Sequence, residues 1–234
     1  MSENNKAILE AANAAITEGN NEGFLSLETV APMPDDLDML MAGGLPIAGV
    51  TALSNLQVSG TGNKTKLMLW GASGGVGHVA LQLAKRMGAN VFAIASGADG
   101  VALVKQLGAD EAVDGHSDEV VQRARAFAPD GFDVALVLVG GDSVQSTLSL
   151  VRQGGMITFP NGVMPEPKAP DGVELKKANG FANPTLLDQL NRLIGIGEFQ
   201  VHIAKTFGLE EAAQAQSAMK QHYLGKIVLR VSSE

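Results

Sequence analysis

Along this chain, short unbroken apolar runs alternate with stripes of apolar residues spaced three and four apart, and glycine marks most of the junctions. The runs LMLW (67–70), VFAIAS (91–96), FDVALVLV (132–139) and MITF (156–159) have strand length without polar alternation, as strands buried on both faces do. A further short strand is expected at Ala112 and Val113. The stripes predict helices. One passes through Val76, Val79, Ala80, Leu83, Ala84 and Met87, carries Lys85 and Arg86 in its last turn, where cations suit the helix dipole, and stops at Gly88. Others pass through Val101, Val104 and Leu107, across 117–127, and through Val144, Leu148 and Val151 ahead of Gly154 and Gly155. Repeated strand–helix units of this length imply right-handed crossovers, so the predicted class is α/β, a doubly wound parallel sheet with helices on both faces.

The flanks are less regular. Ile8, Ala11, Ala12, Ala15 and Ile16 form one helical stripe that ends near residue 18, and a polar connector with Pro32 and Pro34 runs to residue 36. A helical patch through Leu37, Leu40 and Met41 reaches Gly43 and Gly44, and LPIAGVTALSNL (45–56) reads as a helix entered at Pro46. Gly60, Thr61, Gly62 and Asn63 form a turn. Residues 160–172, with four prolines and two glycines, are loop. Beyond them come a helix from Pro184 through Leu186, Leu187, Leu190 and Leu193, a short strand at 201–206, a helix at 209–220 and a last strand at 226–231.

Composition narrows the function. The 234 residues suffice for a large core, and a net charge of −8 without a basic cluster argues against nucleic acid or an anionic membrane as partner. The absence of cysteine removes thiolate catalysis and cysteine-ligated zinc and fits a reducing compartment. The N-terminus lacks the continuous apolar run of a signal peptide or a membrane span, so a soluble, cytoplasmic protein is expected.

The most informative stretch is GASGGVG (71–77) between the first strand and its helix. Strand, glycine turn and helix form the arrangement in which backbone N–H groups and a helix N-terminus cradle a pyrophosphate, because a Cβ would block the turn or hold the backbone away from the phosphates. A tight strand-to-helix turn with no ligand would use the same glycines.

Six blocks in order, LPIAGVTAL (45–53), GASGGVGHVALQLAK (71–85), LGADEAVD (107–114), GFDVALVLVGG (131–141), RQGGMI (152–157) and HYLGKIVL (222–229), together resemble the medium-chain dehydrogenase/reductase superfamily, in its zinc-independent quinone oxidoreductase-like branch. The resemblance covers residues 36 to 234. It implies a Rossmann domain that binds NADP(H) or NAD(H) and passes hydride to a quinone or an enone-like acceptor. By that resemblance, Ser73, Gly74, Gly75 and Val76 lie along the pyrophosphate, and Thr51 lies near the nicotinamide. Val139, Gly140, Asn161 and Gly162 flank its ribose, and Lys226 lies at the crevice. Bland roles remain open beside these: Thr51 as a packing residue, Lys226 as a solvated lysine, Gly140 as a strand-end turn. Ser96 stands at the end of the second strand, where an acidic residue would favour NAD and where NADP-preferring relatives carry a small hydroxyl. The basic and aromatic residues those relatives add correspond here to Gly100 and Gly115, with Lys105 further along the helix and Asp99 adding negative charge. NADP is the expected cofactor, with NAD as the alternative.

Relatives place about 120 residues of a GroES-like domain ahead of this region. The segment ahead of it here does not resemble that domain, and residues 1–35 are read as an N-terminal helix and connector before the dinucleotide-binding domain. Residues 4–27 resemble the opening helix of the cone-shaped α+β family that includes limonene-epoxide hydrolase, and fit a generic amphipathic helix equally. Phe207, Leu209, Ala212, Ile227 and Leu229 would then need another partner, either the N-terminal helix or a second chain, and a homodimer is expected. No catalytic acid or base is identified.

Other chemistries fit less well. His78, His116, His202 and His222 are scattered without metal-ligand spacing, so no metal site is expected, and His78 reads as a residue on the helix surface. GASGG (71–75) satisfies G-x-S-x-G, which would make Ser73 a nucleophile. A phosphate loop ending in Gly-Lys-Ser/Thr is absent, and the lone Tyr223 reads as packing. The rival to an oxidoreductase is a dinucleotide-binding module with little or no catalysis.

Overall fold

The computed structural model describes residues 37–181 and 183–231. The stripe at Ile8–Ile16 and the connector after it lie outside those residues. Six parallel strands form one sheet: β1 (Lys66–Trp70), β2 (Asn90–Ala95), β3 (Glu111–Asp114), β4 (Phe132–Val137), β5 (Val151–Phe159) and β6 (Glu174–Lys177). Their order across the sheet is β3-β2-β1-β4-β5-β6, so the winding reverses between β1 and β4 and leaves a crevice beyond their carboxyl ends. β7 (Ile203–Gly208) and β8 (Lys226–Arg230) form a separate parallel pair.

The apolar runs supply both faces of the sheet, as expected of parallel strands. Leu67, Leu69, Val91, Ala93, Val134 and Leu136 point into one core, beneath α2 (Pro46–Val58), α3 (Gly77–Arg86) and α7 (Pro184–Ile194). Alternate residues Met68, Trp70, Phe92, Ile94, Ala135 and Val137 point into the other, beneath α5 (Val120–Phe127) and α6 (Asp142–Thr147). Period 2 along each strand therefore yields two dry layers, and each fully buried Leu or Phe stabilises the fold by about 1.5–3 kcal/mol. Trp70 finds a partner for its indole N–H in the Thr147 hydroxyl at 2.9 Å. The remaining helices are α1 (Met39–Gly44), α4 (Gly97–Gln106) and α8 (Ala212–Ala218). Asp38 caps α1 and Asn183 caps α7, each accepting a first-turn N–H.

Two elements differ from the sequence reading. The helix expected to reach Val151 ends at Thr147, continues as a 3-10 turn (Leu148–Leu150), and Val151 already belongs to β5, opposite Phe132. Gly154, at φ +73°, and Gly155 form an irregularity inside that strand: the pairing jumps from Phe132–Val151 to Val134–Met156, and a Cβ at Gly155 would lie 2.8 Å from Asp133 O. β6 has no counterpart among the apolar runs, because ELKK carries three charged residues around Leu175 and is exposed throughout, as an open sheet edge is.

The β7–β8 pair is partly covered by α1, where a Cβ at Gly44 would lie 3.3 Å from Val201 and 3.4 Å from Ile203. Leu209 and Leu229 remain exposed. Among the described residues, no helix is long and apolar enough to cross a membrane.

Candidate functional site

The glycine turn occupies the crevice. Gly71, at φ +78°, leaves β1, and the N–H groups of Gly71 and Ala72 both donate to Ile94 O, which ties the turn to β2. A Cβ at Gly77 would lie 2.0 Å from Gly71 O, so only glycine lets α3 start this close to the strand. A Cβ at Gly71 would lie 3.3 Å from Leu138 Cβ and 3.5 Å from Val139 Cγ1, which places the turn against the end of β4. Among the described residues, the N–H groups of Gly75 and Val76 have no hydrogen-bond acceptor. They open the N-terminus of α3, where partial positive charge collects.

The tail of the chain crosses this turn. Gly225 N–H donates to Ser73 O at 2.9 Å, and a Cβ at Gly75 would lie 3.1 Å from Lys226 Cδ, 3.2 Å from Gly225 O and 3.6 Å from Lys226 Nζ. Burial lowers the Lys226 pKa, and its ammonium has no hydrogen-bond or ion-pair partner among the described residues. A half-buried cation beside unpaired backbone N–H groups and a helix N-terminus is an environment that favours an anion.

His78 is buried, which corrects the expectation of a surface position. Its Nδ1–H donates to Gly74 O at 2.7 Å, and its Nε2 accepts the His202 N–H at 3.2 Å. Burial, together with the nearby His202 and Lys226, lowers its pKa from 6.5 to about 4, so the ring is neutral. Gln82, one turn on, bonds both Gln200 N–H and Gln200 O through its amide. Arg86, a further turn on, donates to the carbonyls of Leu193, Ile194, Gly197 and Glu198 and lies over the Phe199 ring at 4.8 Å. These three residues share the polar face of α3 at a spacing of four, and that face holds the segment leading into β7. The sequence pattern presents this face as solvated, because the polar groups it bonds are backbone groups and leave no trace in the sequence.

At the end of β2, Ser96 caps α4 in an extended conformation, and its N–H donates to Ser73 Oγ at 3.3 Å. Gly97 N–H donates to Asp114 Oδ1 at 3.2 Å, and Asp114 also bonds His116. Asp99 in the first turn of α4 pairs with His222 of the tail at 2.9 Å. His222 and the Gly100 N–H hold the Asp99 carboxyl below its ordinary range. The N–H and ring of His116 do the same for Asp114. Positions 100 and 115 are closed to larger side chains: a Cβ at Gly100 would lie 2.9 Å from Ser73 Oγ, and one at Gly115 would lie 2.8 Å from Trp70. Lys105 sits in the last turn of α4, about 12 Å along the axis from Gly97 at 1.5 Å per residue. It is therefore remote from the end of β2, further along the helix as the sequence reading has it.

The remaining candidates lie just after β4, just after β5 and in α2. Val139 is exposed, and Gly140 is packed so closely under the following loop that a Cβ would lie 2.3 Å from Met164 O. Asn161 N–H donates to Asn179 Oδ1 at 2.7 Å, and Gly162 adopts φ +87°. Thr51 lies in α2, half-buried, and its carbonyl accepts from Asn55 Nδ2, which also donates to Ala178 O. Thr51 is thus joined to the segment after β6, and no hydrogen bond joins it to the glycine turn. Among the described residues, the Ser73 hydroxyl accepts the Ser96 N–H and no histidine is hydrogen-bonded to it, so the G-x-S-x-G reading lacks its base. Among the described residues, no three His, Asp or Glu side chains converge as a metal site.

Comparison with known proteins agrees with this geometry. A family model described as zinc-binding dehydrogenase matches residues 75–180. The chain is 30% identical over 213 residues to an alcohol dehydrogenase of Geobacillus stearothermophilus, covering 88% of this chain and 62% of that protein. It is 28% identical to the mitochondrial NAD(P)H oxidoreductase RTN4IP1 of Bos taurus, covering 86% of this chain and 58% of that one. The quinone oxidoreductase of Thermus thermophilus, solved with NADPH, superposes with a TM-score of 0.71 at 26% identity, covering 86% of this chain and 68% of that chain. The chain therefore spans about 60% of the length of the curated relatives it matches over most of its own length. With its strand order, glycine turn and six sequence blocks in register, the chain belongs to the medium-chain dehydrogenase/reductase superfamily.

Proposed function

We propose that this chain is an NAD(P)H-dependent oxidoreductase of the quinone oxidoreductase type, acting on a quinone or an enone-like acceptor. The observation that carries the reading is the half-buried ammonium of Lys226 over Gly75, beside the N–H groups of Gly75 and Val76, all without a partner among the described residues. A dinucleotide pyrophosphate satisfies all of them at once. The nicotinamide supplies the hydride when bound, and the chain supplies orientation. In this reading Ser73, Gly74, Gly75, Val76 and Lys226 hold the pyrophosphate, and Ser96 faces the adenosine ribose. Thr51, Val139, Gly140, Asn161 and Gly162 line the nicotinamide end, with Ser96 supporting NADP(H) as the cofactor. No described residue is assigned as a general acid or base.

A second reading, a dinucleotide-binding module with weak or no turnover, is favoured by the exposure of Val139 and Met164 at the nicotinamide end, where water would dilute electrostatic control. The open, polar edge of β6 supports a homodimer formed by pairing two such edges antiparallel, in which Glu174 of each copy meets Lys177 of the other. The absence of cysteine supports a cytoplasmic setting.

Titration with NADPH and NADH, read by nicotinamide fluorescence, tests the site. Micromolar binding of either supports it, and binding of neither sinks both readings. Turnover of a quinone and enone panel then separates the enzyme from the module.

A further inference from the structure

The charged groups at the end of β2 have an arrangement that the glycine turn does not explain. In a Rossmann domain the adenosine ribose lies here, where a carboxylate accepts from a 2′-hydroxyl and a cation accommodates a 2′-phosphate. This chain has two carboxylates at that point, Asp99 and Asp114, and the cations in contact with them are histidines, His222 and His116. Lys105 is at the wrong end of α4, and positions 100 and 115 are sterically closed to a basic or aromatic side chain. A fixed positive charge is therefore absent from the described contacts of this subsite, and the charge there depends on histidine protonation.

His222 is the more telling of the two. It comes from the tail, not from the β–α unit that forms the subsite, and its ring reaches Asp99 at 2.9 Å. A Cβ at Gly97 would lie 3.7 Å from its Cε1, so the ring stands directly over the residue that follows Ser96. Resting on the dinucleotide reading above, we propose that His222, paired with Asp99, selects between the 2′-phosphorylated and the 2′-hydroxyl nucleotide according to its own protonation.

With His222 neutral, the Asp99 charge is uncompensated: it repels a phosphate and accepts a hydrogen bond from a 2′-hydroxyl, which favours NADH. With His222 protonated, the pair is neutral overall and the imidazolium is a donor for the phosphate, which favours NADPH. The groups that bear on this switch are Asp99 and the Gly100 N–H from α4, Asp114 and His116 from the end of β3, and Lys226 at the start of β8 on the pyrophosphate side. Asp114 and His116 act together across Gly97 N–H and are not in hydrogen-bond contact with His222. Acidification therefore moves preference toward NADPH.

The experiment measures the Kd of NADPH and of NADH for the full chain from about pH 6 to about pH 8.5, the range in which histidine titrates. Wild type is compared with His222→Gln and Asp99→Asn. Both side chains are exposed, so folding is not at risk, and a melting curve for each variant verifies it. The wild-type ratio of NADH to NADPH Kd is expected to rise about fivefold on acidification, the size of an exposed charge pair. His222→Gln is expected to lose that rise, and Asp99→Asn to bind NADPH about fivefold tighter at the alkaline end. The 2′-phosphate of the free nucleotide titrates in the same range and contributes equally for every variant, so the part of the pH profile that His222→Gln removes reports the His222 site together with its coupling to the bound phosphate. Matching pH profiles for those two proteins overturn the selector and leave the dinucleotide site standing. Binding of neither nucleotide to wild type overturns the dinucleotide reading itself.

Discussion

Acid should loosen this fold through one residue, His78. Its ring is neutral in the native state because both nitrogens are committed, Nδ1–H to Gly74 O and Nε2 to the His202 N–H. Protonation would force Nε2 to become a donor facing a donor. Its native pKa of about 4 lies below the unfolded value of 6.5, so the unfolded chain binds this proton first as pH falls. The stabilisation is complete above the unfolded value, shrinks as pH drops below it, and is gone below the native one. Between these limits it amounts to about 3 kcal/mol, and from pH 8 to pH 5 about 2 kcal/mol is lost. Urea unfolding at several pH values measures it. His78→Leu provides the control: it leaves the His202 N–H unpaired, at about 1–3 kcal/mol, while Gly74 O keeps the backbone N–H of residue 78, and it removes the titrating group. The variant is thus expected to be less stable at pH 8 and to lose less on acidification, so that the two curves converge toward pH 5. The exposed pairs Asp99–His222 and Asp114–His116 are common to both proteins and cancel in the comparison. Parallel curves would refute the buried-histidine account.

Other outcomes follow from the same geometry. Gly77→Ala is expected to destabilise the protein by about 3 kcal/mol or more, seen in urea unfolding, because its methyl meets the Gly71 carbonyl. Wild-type stability would show that the turn can shift. Lys226→Met is expected to weaken nucleotide binding about tenfold or more, the size of a lost charge-assisted hydrogen bond, without lowering the melting temperature, since it also removes a desolvated charge. An unchanged Kd would mean the ammonium serves something other than phosphate. Gly75→Asp brings a carboxylate against the same ammonium and into the phosphate position, and nucleotide titration should show no binding. Arg86→Gln should free the segment around Leu193 to Glu198 and speed amide exchange there, and unchanged protection would show that buried Phe199 and the Gln82–Gln200 bonds suffice to anchor it.

Much of this was written in the order of residues. Apolar runs of strand length between glycine turns determine a parallel sheet, because only strands buried on both faces can be apolar at every position. The GASGGVG turn is legible in its glycine spacing between a strand and a helix, and the structure supplies the reason for Gly77, where a Cβ would meet the Gly71 carbonyl. What the sequence could not express was contact with backbone. His78, Gln82 and Arg86 look like a solvated helix face, and each has partners among the N–H and carbonyl groups of residues more than a hundred positions later, which every residue type carries alike. The same holds for β6, whose polar residues become a strand only because β5 offers an edge to pair with, and for Val151, drawn from a helix into β5 by Phe132 across the ladder. Lys226 could be aligned with a family lysine, but its place over Gly75, without a counter-ion among the described residues, came from the tail folding back across the turn. Periodicity is local and determined the layers. The tertiary structure decided which polar groups lose water together, and those groups make the site.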